Sequence, residues 1–102
     1  MFCLNDIASM HYLLTAVGKV TAIDKKWIVI DRSRDLNTTT ARKISMYLAR
    51  EELKLSYYKL AEYFDRDPTT CRSNCISIAK EIKARPRGEL ANKIKEIRSN
   101  FR

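Results

Sequence analysis

Glycine and proline are nearly missing from this chain, with two of each in 102 residues, and that scarcity excludes a disordered, linker-like polypeptide. With 45% hydrophobic residues, the composition predicts a packed, mostly helical chain. Histidine is scarcer still. His11 stands alone, and Cys71 and Cys75, four residues apart on an apolar stripe, lack two further matching ligands, so no zinc site is expected. The third cysteine, Cys3, makes the number odd, so the three cannot all pair within the chain. Reduced structural thiols in a cytoplasmic compartment are expected instead. No apolar run approaches the ~20 residues needed to span a membrane. The N-terminus lacks a basic stretch ahead of its apolar residues and does not read as a signal peptide. Catalytic chemistry has no foothold either. There is no nucleophile–base pair, and Gly18-Lys19 is one glycine before one lysine, without the upstream glycine of a phosphate-binding loop. The sequence therefore predicts no enzyme, no cofactor and no small-molecule substrate.

Positive charge is abundant, and it is unevenly placed. Lysine and arginine number 20 against 12 acidic residues, for a net +8 and a pI near 9.6. Residues 1–31 hold three of each sign, so the excess falls in residues 32–102, which carry 17 basic and 9 acidic groups. Clustered cations at such a pI are the electrostatic footprint of a polyanion binder. A well-solvated surface is the alternative that charge alone leaves open.

The strongest local signal is Asp67-Pro68-Thr69-Thr70. Aspartate is a good helix N-cap, and proline at the first helical position gives up an N–H that would be unpaired anyway. Behind it Cys71, Cys75, Ile78, Ala79 and Ile82 recur at helical spacing and predict one buried face. Thr69, Thr70, Arg72 and Ser73 fall on the other side, where short polar and cationic groups reach base edges or phosphates. Just upstream a second helix opens at Ser56 and carries Leu60, Ala61 and Phe64 inward. Two helices joined by the short turn Asp65-Arg66 make a helix-turn-helix over about residues 56–83, whose second helix enters the major groove of DNA.

The rest of the chain reads as one all-α domain over residues 1–102, with five to six helices. Asn5 is placed as the cap of a first helix that buries Ile7, Met10, Leu14 and Val17 and ends at Gly18. Ile23, Trp27 and Ile30 predict a short helix that faces the core, preferred over a strand because a lone strand would have no partner. Residues 31–43 read as a basic loop, unpatterned to Thr40 and carrying Arg32 and Arg34. A third helix is expected from about Ala41 to Leu53 with Ile44, Leu48 and Tyr47 inward. Of the adjacent Tyr57 and Tyr58 only one can face the core. Lys83 to Gly88 breaks the recognition helix, and a last helix over about 89–101 carries the stripe Leu90, Ile94, Ile97 and Phe101. That stripe either closes the domain or forms a homodimer seam.

The segment Ala41-Arg42-Lys43-Ile44-Ser45-Met46-Tyr47-Leu48-Ala49-Arg50-Glu51 resembles the long helix that opens the DNA-binding half of the C-terminal domain of the bacterial replication initiator DnaA, a Trp-repressor-like helix-turn-helix. Leu55-Ser56 with Leu60 and Phe64 resembles its next helix, and Arg66-Asp67-Pro68-Thr69-Thr70 resembles the family's Arg-Asp-His-Thr-Thr. The likeness covers roughly residues 20–100. It implies that Arg42 is the basic-loop arginine of the minor groove, and that Arg66, Asp67, Thr69 and Thr70 touch bases or phosphates in the major groove. It places Ser56 at a phosphate-facing helix start, with Lys43 and Arg50 beside the backbone. Three positions depart from the family. Pro68 replaces its histidine, Cys71-Arg72 replaces an apolar pair, and Asp65 alone replaces paired glycines. The docking mode carries over better than the standard initiator box, and Arg72 could add a bidentate guanine contact worth about 1–3 kcal/mol.

The expectation is thus a non-catalytic, stand-alone binder of double-stranded DNA that regulates replication or transcription. It would sit in the bacterial cytoplasm on the nucleoid, or be encoded by a phage or mobile element. The alternative is a helical protein–protein adaptor that turns its basic face to an acidic partner, with Leu90 and Ile97 in its contact surface.

Overall fold

Apolar side chains recur every three to four residues along most of the chain, and each recurrence becomes a helix that buries its stripe. The computed structural model describes residues 4–30 and 35–101. Among these lie six helices: α1 (Leu4–Thr21), α2 (Lys25–Ile30), α3 (Leu36–Glu52), α4 (Tyr57–Phe64), α5 (Pro68–Ala84) and α6 (Glu89–Phe101). One hydrophobic cluster draws on all of them, with Met10, Leu13, Leu14 and Val17 from α1, Ile28 from α2 and Ile44, Met46 and Leu48 from α3. Leu60 and Phe64 of α4, Cys71, Cys75 and Ile78 of α5 and Ile94 and Ile97 of α6 complete it. The third helix is central and packs on α1, α2, α4 and α5, while α6 lies across α1 and α5. No described helix is long and apolar enough to cross a membrane.

The first three helices differ from what periodicity predicts. The first helix begins at Leu4, which puts Asn5 inside it, and it runs through Gly18 to Thr21. Gly18 is needed for space. A Cβ there would lie 2.8 Å from the Ile23 carbonyl oxygen, because the chain folds back over this point after Ala22 takes φ 60°. Ile7 is exposed rather than buried.

In α2 the buried residue is Ile28, while Trp27 and Ile30 are 50% and 58% exposed. Asp24 caps this short helix through Lys26 N (3.0 Å), and Val29 packs partly against the core beside Ile28. Trp27 instead carries Lys26 against its ring, with Nζ 5.6 Å from the centroid.

The third helix starts five residues before the expected Ala41. Asp35 caps it, its Oδ2 accepting from Thr38 N (2.9 Å) and Thr38 Oγ1 (2.8 Å). Residues 36–40, read as loop from sequence, are therefore helical, and Arg32 and Arg34 lie outside the described residues.

The α6 stripe closes the fold. Ala91, Ile94 and Ile97 are buried, and Phe101 packs on Tyr12 of α1 with ring centroids 5.4 Å apart. Most of the stripe is thus spent within the chain, with Leu90 half-buried.

Candidate nucleic-acid interface

The unit α4–turn–α5 is specified by three local devices. At its start, Ser56 Oγ accepts from Lys59 N (3.2 Å) and caps α4. At the turn, Asp65 adopts the left-handed conformation, φ 53° and ψ 53°, and the N–H groups of Asp65 and Arg66 both return to the Ala61 carbonyl. This is the arrangement that ends many helices, usually with glycine in the left-handed place. At the restart, Asp67 Oδ1 accepts from Thr69 N (2.8 Å), with Pro68 as the first residue of α5. Leu60, Ala61 and Phe64 face inward as expected, as do Cys71, Cys75 and Ile78. Ala79 is exposed and Ile82 half-buried, so the buried stripe of α5 is narrower than its spacing predicts.

The opposite side of α5 offers Thr69, Thr70, Arg72, Ser73, Ser77 and Lys80 to solvent. Burial pushes the Cys75 thiol up to about 11, and burial likewise raises Cys71, against an opposing pull from Arg66. Both thiols stay protonated near neutrality, so the inward face of α5 carries no charge.

The predicted site residues separate into two groups. Thr69, Thr70, Arg72 and Ser73 are exposed on the first two turns of α5 and are geometrically open to a ligand. Several others are already engaged within the protein. Arg66 is half-buried, and its Nη1 donates to the carbonyls of Phe64 (2.6 Å) and Asp65 (3.3 Å), a cation set against the C-terminus of α4. Arg50 is exposed, yet its Nη1 donates to Leu55 O (3.1 Å) and its guanidinium lies 4.5 Å from the Tyr57 ring centroid. Lys43 is half-buried on α3. Tyr57 is the half-buried member of the tyrosine pair and Tyr58 the exposed one, at 78%.

Arg42 does not occupy the loop position expected of it. It is 7% exposed, and its Nε donates to the Ile28 carbonyl oxygen (2.9 Å), a bond that ties α2 to α3. Because α3 begins at Leu36, Arg42 lies two turns inside a helix, on its buried side, rather than in a loop.

The structure also gathers residues that sequence reading passes over. Lys54 and Ile76 line one shallow groove with Tyr47, Arg50, Tyr57 and Ala79, between the end of α3 and the side of α5. Lys54 has a left-handed φ of 59°, which no spacing argument signals. Ile76 is an apolar residue out of phase with the Cys71–Cys75–Ile78 stripe, and that mismatch was readable.

Residues 10–78 match the family model described as bacterial dnaA protein helix-turn-helix. The chain is 32% identical over 75 residues to chromosomal replication initiator protein DnaA 2 of Chlamydia caviae, covering 69% of this chain and 16% of that protein. It is 33% identical over 86 residues to DnaA 1 of Chlamydia muridarum, covering 78% of this chain and 19% of that one. DnaA of Thermotoga maritima is 41% identical over 54 residues, 53% of this chain and 12% of that protein. The chain thus spans less than a fifth of the length of these relatives.

Proposed function

Because this chain belongs to the bacterial DnaA helix-turn-helix family, we propose that it is a non-catalytic, sequence-specific binder of double-stranded DNA, acting in the control of replication or transcription. The single observation that carries this reading is the split character of α5. Its inner face is apolar and fixed in the core, and its outer face presents Thr69, Thr70, Arg72 and Ser73 on the first two turns of a helix whose start is pinned by Asp67 and Pro68. A rigid helix with short polar groups and one long cation at its N-terminal end suits the major groove. Arg72 is the residue assigned to base reading, through a guanine. Thr69, Thr70 and Ser73 supply hydroxyls to bases or phosphates, and Lys43 and Lys80 supply charge for the backbone.

Asp67, Pro68, Ser56 and Arg66 act on this reading as positioning residues that fix where α5 points. Arg42, which ties α2 to α3, has no part in the face of α5 on this reading. On this reading residues 1–102 form one DNA-binding domain. A dimer through α6 would have to uncover Ile94 and Ile97, so the reading does not rest on one.

The test is selection from a random duplex pool at about 0.15 M salt, followed by sequencing of the retained DNA. An enriched motif is expected, and it should differ from the relatives' binding site where Pro68 and Arg72 replace their residues. Retention without a motif would reduce the function to phosphate-driven binding, and no retention would refute DNA binding altogether.

A further inference from the structure

We propose that Ile76 is a specificity-determining residue that reads the 5-methyl group of a thymine in the major groove. This rests on the DNA-binding reading above and deepens it. Thr69, Arg72, Ser73 and Ile76 stand at i, i+3, i+4 and i+7 on α5, and all four are exposed, so they form one continuous outward stripe. At 1.5 Å per residue the stripe covers about 10 Å, roughly three base-pair steps.

Ile76 is the large apolar side chain that α5 leaves in water, 38% exposed, although its core positions were filled by Cys71, Cys75 and Ile78. A lone exposed isoleucine is ordinary on a protein surface. Its placement is what distinguishes it, because the thymine methyl is the apolar group that base edges offer in the major groove. An isoleucine is also stiff about χ1, so its methyl groups are held in place before contact and little freedom is lost. Arg50, Glu51 and Lys54 line the groove beside Ile76, two cations to one carboxylate, and on this reading the two cations lie toward the neighbouring phosphates of the same strand.

The experiment takes the duplex preferred in the pool selection and replaces each thymine in turn by deoxyuridine, which deletes only the methyl group. Dissociation constants are measured by fluorescence anisotropy for the unaltered protein and for Ile76→Ala, with circular dichroism to confirm the variant's fold. At one thymine, uracil should weaken binding by the unaltered protein about three- to five-fold, the size of one buried methyl. Ile76→Ala should lose the same factor on the thymine duplex and show no further loss at that uracil. Equal uracil effects in both proteins at every position would overturn the assignment, as would a motif in which no thymine methyl matters. The uracil scan on the unaltered protein needs no variant, so it can refute the idea even if Ile76→Ala misfolds. Binding without any motif would overturn this inference while leaving DNA binding intact. An absence of binding would overturn both.

Discussion

At Asp65 the backbone sits at φ 53° and ψ 53°, a region that costs an L-residue of the order of 1 kcal/mol, less for aspartate than for most, and glycine nothing. Relief of that strain is offset by the greater freedom glycine gives the unfolded chain, so Asp65→Gly should shift stability by no more than about 0.5 kcal/mol and leave Tm within a few degrees in thermal unfolding. Arg42 makes a sharper case, because its two possible roles predict opposite results. As the buried donor to Ile28, Arg42→Ala leaves a buried carbonyl without this partner and should cost about 1–3 kcal/mol in urea unfolding. DNA affinity measured well below the transition should be unchanged. A minor-groove arginine would show the reverse, with stability kept and affinity lost. Cys75 gives a pH signature. Its thiol is pushed from the ordinary 9.0 to about 11 by burial, so the folded state holds the proton longer than the unfolded chain. The contribution is fully present below pH 9 and is lost between about pH 9 and 11. Unfolding monitored across that window should show Cys75→Ala losing less stability with rising pH than the unaltered protein.

Among the elements, α5 depends on its cap. Asp67→Ala removes the acceptor for Thr69 N and should cost about 1 kcal/mol while loosening the turn that carries Thr69 and Thr70, so affinity in an anisotropy titration should fall with it. In α1, Gly18→Ala gains about 1 kcal/mol of helix propensity but drives a Cβ to 2.8 Å from a backbone oxygen. Backbone cannot swing aside as a side chain can, so the overpacking cost of about 1–3 kcal/mol wins, and the variant should melt lower. These two residues also show what the sequence could and could not tell. The limits of α4 and α5 were legible because Ser56, Asp67 and Pro68 act on their own neighbours. The role of Gly18 was not, because it answers to Ile23, which reaches it only through the fold. The start of α3 was hidden for another reason. Asp35 is a sound cap, but Asn37-Thr38-Thr39-Thr40 are weak helix formers, held helical here by that cap and by burial of Thr38. For α2 the hydrophobic residues were seen but their face was not, since Trp27, Ile28 and Ile30 are all apolar and the contacts with α3 decide which one turns inward.

For the whole molecule, a net +8 means that affinity for any DNA must fall with salt, with a slope near −0.9 for each phosphate neutralised. Lys80→Ala, if that lysine meets a phosphate, should reduce the slope by about one and weaken all sequences alike. Arg72→Ala should instead cost about 1–3 kcal/mol on the preferred duplex and little on random DNA, separating base reading from charge. Both side chains are exposed, so neither change should disturb folding. The candidate reading face was legible as residues at helical spacing. The burial of Arg42 and the tethering of Arg66 were not, because they depend on carbonyls supplied by other parts of the chain. The two faces of α5 share one backbone but no side chains. Cys71, Cys75 and Ile78 are answerable to the fold alone, and Thr69, Arg72 and Ser73 are bound by no packing demand of comparable weight. Substitutions on that outer face can therefore accumulate without first buffering stability, and a library varying Thr69, Arg72 and Ser73 together should keep nearly every member folded.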